Sequence, residues 1–176
     1  ALLQHITKIS VVPQEDFLMM DAFTLRNLEI LYPSNTQGKS LLDIIDKTIT
    51  PMGGRLLRRR LVLPLKSVNE INRRLSLIEF FNQHEEVYHQ VYEQLMTVSD
   101  LDRLMGKLAA EKISPKEMGY LRNSLINIQQ VREILKPYHD VLAWIEPLFD
   151  VQNLIDFLQN HLNDELPVNI NKGNVI

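Results

Sequence analysis

Along the second half of the chain, apolar residues recur at intervals of three and four, the spacing that draws one stripe down a helix. Val68, Ile71, Leu75, Ile78 and Phe81 form one such stripe, and Met118, Leu121, Leu125, Ile128 and Leu135 form another. Both are expected to face partner helices. A capping box precedes each, Ser67 with Glu70 and Ser114 with Glu117, in which serine and glutamate each satisfy an amide that the first helical turn leaves free. Between them, Val87, Val91, Leu95 and then Leu101, Leu104, Leu108 predict two helices broken near Ser99. Val141, Ile145, Leu148 and then Leu154, Ile155, Leu158, Leu162 predict the last of the series. Earlier, Ser40 is placed to cap a short helix through Leu41, Leu42, Ile44 and Ile45. Thr50 and Pro51 read as an N-cap followed by proline at the first helical position, opening a helix that runs to about Leu63.

The first third is mixed. Ser10, Val11, Val12 and Phe17, Leu18, Met19, Met20 read as short strands around a turn at Pro13, and residues 27–32 read as a third extended stretch closed by Pro33. At the other end, residues 168–176 alternate apolar with polar and turn through Gly173 and Asn174, as in a hairpin beginning. The fold class expected is mainly α: a multi-helix bundle with a few short strands near the N-terminus and a hairpin start at the C-terminus.

A chain of 176 residues, 45% hydrophobic, can bury one or two modest cores. The net charge of -3 argues against nucleic-acid binding over the whole surface but leaves room for a local basic patch. The lack of cysteine removes disulfides, thiolate nucleophiles and thiolate metal sites together. No stretch is apolar enough to cross a bilayer, and the first residues lack the form of a signal peptide, so no membrane and a cytoplasmic location are expected. With no initiator Met and a hairpin that stops short, both ends are expected to be cuts in a longer polypeptide.

Residues 33–40 end in Gly38, Lys39 and Ser40 before a helix, as a phosphate-binding P-loop does, but Pro33 occupies the position where that loop needs glycine. A polar turn capped by Ser40 is the expectation. His84 and His89 stand five apart, whereas zinc-binding histidines on one helical face stand four apart. No catalytic residue, metal site or cofactor is therefore expected within this chain. Arg55, Arg58, Arg59 and Arg60 crowd one helix. Arg58 and Arg59 are candidates for DNA phosphate contacts, set against pairing of the cluster with Asp43, Asp46 or other acids. Gly53 and Gly54 cost that helix about 1 kcal/mol each relative to alanine, which close packing against another backbone would offset.

Residues 20–30, with Asp21, Thr24, Asn27 and Glu29 in place, resemble the segment that opens the core domain of the MutS mismatch repair family. The block from Ser40 through Thr50, Pro51, Gly53 and Arg55 to Pro64 and Leu65 is similar to that family's next block. Asp100 to Leu104 and the closing Leu166 to Ile176 also fit. The resemblance implies the end of a connector region over residues 1–19, a helical core over 20–136, and outgoing lever helices over 137–176 that lead towards a clamp. It further implies a fragment that is not an enzyme, cut from a full-length ATPase that uses ATP and Mg. That protein would act as a homodimer on mismatched DNA held through other domains, with a MutL-type repair partner. The function expected is allosteric coupling of mismatched-DNA binding to ATP binding and hydrolysis. Asp21, Thr24, Asn27, Glu29, Thr50, Pro51, Gly53 and Arg55 are its family-motif and possible domain-junction residues. The competing readings are a stand-alone helical adaptor that binds protein partners, and a MutS paralogue acting on other DNA structures.

Overall fold

The computed structural model describes residues 16–146 and 150–168. Nine helices are present among these: α1 (Ala22–Asn27), α2 (Leu41–Ile45), α3 (Pro51–Val62), α4 (Val68–Gln83), α5 (Glu85–Met96), α6 (Leu101–Ala109), α7 (Pro115–Leu135), α8 (His139–Ile145) and α9 (Gln152–His161). The chain is mainly α, as its periodicity predicts. It divides into two compact units, one of residues 1–46 and 58–73, the other of residues 47–57 and 74–176, so α3 and α4 each contribute residues to both.

In the first unit the Asp21 carboxylate accepts from Thr24 N at 2.7 Å and starts α1, over residues for which the sequence pattern predicts no element before Asn27. The helix ends in a Schellman arrangement. Ile30 N donates to Leu25 O and Glu29 N to Arg26 O, with Glu29 in the left-handed region at φ 48°. That turn corrects the expected strand over residues 27–32, because those residues close a helix. Of the other expected strands, Phe17 forms one isolated antiparallel bridge to Leu65, with Leu18 N donating to Pro64 O. Ser10 to Val12 and the hairpin beyond Val168 lie outside the described residues. Ser40, fully buried, caps α2 in a reciprocal box with Asp43. The next two amides of that helix donate to Glu29 O and Ile30 O, which ties α2 to the end of α1.

The second unit is built around α7, which packs against α5, α6, α8 and α9. Its capping box, Ser114 with Glu117, and its proline at the first position are those the sequence specifies. The core gathers Phe80, Val87, Val91, Val131, Leu135, Val141 and Ile145, ringed by Leu77, Phe81, Leu95, Ile134 and Tyr138. The predicted stripes of α5, α6 and α7 supply buried residues, Val87, Val91, Leu104, Leu121 and Leu135 among them. Of the α4 stripe, Phe81 alone packs against the core, and it is partly buried. Val68, Ile71, Leu75 and Ile78 are 66%, 36%, 54% and 57% exposed, while Phe80 is 4% exposed with Leu77 packed beside it. This helix carries apolar residues in two phases, and its tertiary partners cover Leu77 and Phe80 of one and, of the predicted stripe, Phe81 at its end.

Candidate functional site

At the start of α3, Thr50 Oγ1 accepts from Gly53 N at 3.1 Å and Thr50 O from Gly54 N at 3.1 Å. Thr50 is thus the cap and Pro51 opens the helix, where its missing N–H costs nothing. A Cβ at Gly53 would stand 3.0 Å from Thr50 Oγ1 and 3.4 Å from Thr48 Cβ, so glycine lets the turn at residues 48–50 close onto the helix. Beside it opens a hollow of about 300 Å³, lined by that turn, by Phe81 and by Tyr88, Tyr92 and Leu95 of α5.

Arg55 follows on the same turn of helix. Its two terminal nitrogens donate to Asp100 Oδ2 and Oδ1, both at 2.8 Å, and one donates again to Asp102 Oδ2 at 2.6 Å. The planar guanidinium matches the Asp100 carboxylate prong for prong, a geometry that the point charge of lysine does not reproduce. Asp100 is also the N-cap of α6, accepting from Arg103 N at 3.3 Å. One carboxylate therefore holds the first turn of α6 and receives the start of α3. The hydrogen bonds from Arg55 hold the Asp100 carboxyl down at about 2, and the same two carboxylates raise Arg55 above its ordinary value. Arg55 is half exposed, so solvent screens the attraction, and the contribution lies in orientation more than in stability.

The structure separates the sequence-named residues into two sets. Thr50, Pro51, Gly53 and Arg55 gather in the second unit, and Asp21, Thr24, Asn27, Glu29, Arg58 and Arg59 belong to the first. Asn27 is the exposed last residue of α1, and Glu29 accepts from Ser34 N at 3.0 Å, which lowers its carboxyl below the ordinary range. Arg58 donates to the Tyr32 hydroxyl with its guanidinium 5.0 Å from the ring centre, and Arg59 is exposed. Of the arginine cluster, Arg55 does find acids, reaching Asp100 and Asp102 instead of the nearby Asp43 or Asp46. Those partners stand 45 and 47 residues away, a distance no local pattern reports.

The loop over residues 33–40 is a polar turn, with Gly38 N donating to Asn35 O and the Ser40 hydroxyl committed to its capping box. His84 stacks on Phe80 at 4.4 Å, and His89 lies 3.7 Å from Glu85. Among the described residues, no group of three or more potential ligands is placed to hold a metal, and no helix is long and apolar enough to cross a membrane.

The sequence profile of MutS domain III matches residues 23–176. A DNA mismatch repair protein MutS of Flavobacterium psychrophilum is 42% identical over 176 residues, covering 99% of this chain and 20% of that protein. Its counterpart in Porphyromonas gingivalis is 46% identical over 132 residues, covering 75% and 15%. That of Bacteroides thetaiotaomicron is 36% identical over 174 residues, covering 98% and 20%. The chain thus spans about a fifth of the length of these curated relatives or less.

Proposed function

The chain belongs to the MutS domain III family, and from that premise we propose that it is the helical coupling segment of a DNA mismatch repair ATPase. In this reading residues 20–136 form the core and residues 137–176 the outgoing lever. ATP with Mg, mismatched duplex and a MutL-type partner are engaged by the rest of a homodimeric, cytoplasmic protein, and the segment itself carries no chemistry. Its work is mechanical: packed helices move as bodies when one end is displaced, so a nucleotide-driven shift at one end reaches DNA-holding elements at the other.

The observation that carries this reading is the Arg55 fork on Asp100 and Asp102, which joins the second turn of α3 to the first turn of α6. A displacement of α3 is then handed to α6, and through α6 to α7. Arg58 and Arg59 are the residues of this segment proposed to meet DNA phosphates.

The test uses the full-length protein. Arg55→Ala is expected to retain mismatch binding and basal ATP turnover while ATP-driven release from a mismatch slows about ten-fold; Arg55→Lys, with the charge but not the fork, should be nearly as slow. Release at the normal rate in Arg55→Ala overturns the reading.

A further inference from the structure

One charged side chain of the second unit is buried away from every acid the site uses. Arg122, on α7, is 8% exposed. The acceptors it reaches among the described residues are neutral: Leu162 O at 3.2 Å, Asn163 O at 3.4 Å and, from Nε, Asn123 Oδ1 at 3.4 Å. Leu162 is the C-cap of α9. The guanidinium therefore stands at a helix C-terminus, where free carbonyls and the negative end of the helix dipole favour a cation. A buried charge without acceptors is costly, so the contact is a fixed one as long as the carbonyls stay in place.

The opposite end of α9 is tied differently. Asp150 accepts from Gln152 N at 2.9 Å, and its other oxygen lies 3.7 Å from Arg132. Arg122 and Arg132 are ten residues apart on α7, about 15 Å at the helical rise, which is the length of a ten-residue α9. So α9 lies antiparallel along α7, with Ile155 and Leu158 buried between its two ends. The tie at Asp150 is long and exposed; that at Leu162 is buried. Just beyond Leu162 the chain is held again. Gly119 is buried one turn before Arg122, and a Cβ there would come within 2.8 Å of Leu166 Cδ1. Leu166 is thus seated on bare helix backbone at Gly119.

We propose that Arg122 and Gly119 form a clasp that makes residues 162–166, the chain leaving α9, part of the α7 rigid body. Arg122 and Gly119 are positioning residues, and the proposal rests on the coupling function above. With the clasp closed, a displacement of α7 is passed to the departing chain. With it open, the same displacement is absorbed where α9 ends.

The experiment is amide hydrogen exchange on the full-length protein, read with ATP-driven release from a mismatched duplex. Arg122→Met removes the donors while keeping the bulk. It is expected to speed exchange in the peptide over residues 159–168 about ten-fold, leaving peptides of α5 and α6 unchanged, and to slow release several-fold. Arg122→Lys should restore part of both. Gly119→Ala guards against a general folding defect, since alanine favours a helix interior over glycine. It should hold or raise the melting temperature and still loosen residues 162–166, because Leu166 must move. Unchanged exchange at residues 159–168 in both variants overturns the clasp. Faster exchange with normal release in Arg122→Met, while Arg55→Ala slows release, overturns its role in positioning and leaves the coupling function standing. Normal release in Arg122→Met and in Arg55→Ala overturns both.

Discussion

Glu111 shows how little a residue's chemistry need agree with its backbone. It sits in the left-handed region at φ 55°, where α6 ends in the same Schellman arrangement as α1, with Lys112 N donating to Lys107 O and Glu111 N to Leu108 O. A Cβ strains this conformation. Glu111→Gly is therefore expected to raise stability by about 0.5–1 kcal/mol, the strain relieved less the added freedom of the unfolded chain, as read by denaturant midpoint. Glu29 occupies the matching place after α1, but its carboxylate receives Ser34 N, so Glu29→Gly should gain less. Two other carboxylates set an acid limit. Asp100 is held at about 2 by Arg55, and Glu117 at about 2 by Lys107 and by the Ser114 amide. Folded values below the ordinary 3.8 and 4.5 mean that both groups favour folding above pH 4.5, and that this contribution fades as pH falls towards 2. Urea midpoints measured from pH 6 to pH 2 should fall, and the slope should be shallower in Glu117→Gln.

At the scale of the element, the choice between phases on α4 has a direct measure. Phe80 packs edge-on against Phe81 and Tyr138 and stacks on His84 inside the core, so Phe80→Ala is expected to cost about 3–5 kcal/mol. Ile78, in the stripe that periodicity favours, stands largely in solvent, and Ile78→Ala should change stability by less than about 0.5 kcal/mol. Thermal melts of the two variants decide which face is buried; equal losses would return α4 to the phase read from the sequence. The ends of the helices were legible where the signal is local. Ser40, Thr50 and Ser114 cap as read, because each bonds an amide two to four residues away. Asp21 caps a six-residue helix too short for any periodic stripe, so the pattern of apolar positions does not announce it.

For the whole molecule, the proposed role divides charge between two tasks. Arg55 is engaged by acids of its own unit, whereas Arg59 is exposed and available to an outside anion. In the full-length protein, Arg59→Ala is expected to weaken duplex binding without regard to sequence and to reduce the salt slope by about one phosphate contact. Titrations from low to high salt check this, and an unchanged slope would remove Arg59 from the DNA surface. Coupling and contact then separate by variant: loss at Arg55 alters release, and loss at Arg59 alters affinity.

The sequence by itself determined the helical class, most helix starts and the family, because periodicity, capping and motif spacing are written in neighbouring residues. It also named Thr50, Pro51, Gly53 and Arg55. Only the tertiary structure decided which distant groups the arginines meet. The partners of Arg55 lie 45 and 47 residues away, those of Arg122 lie 40 and 41 away, and the buried face of α4 was one of two that its sequence allowed. Such pairings depend on how helices stack around α7. Stacking is settled by which apolar faces can be buried together, and no stretch of sequence carries that choice alone.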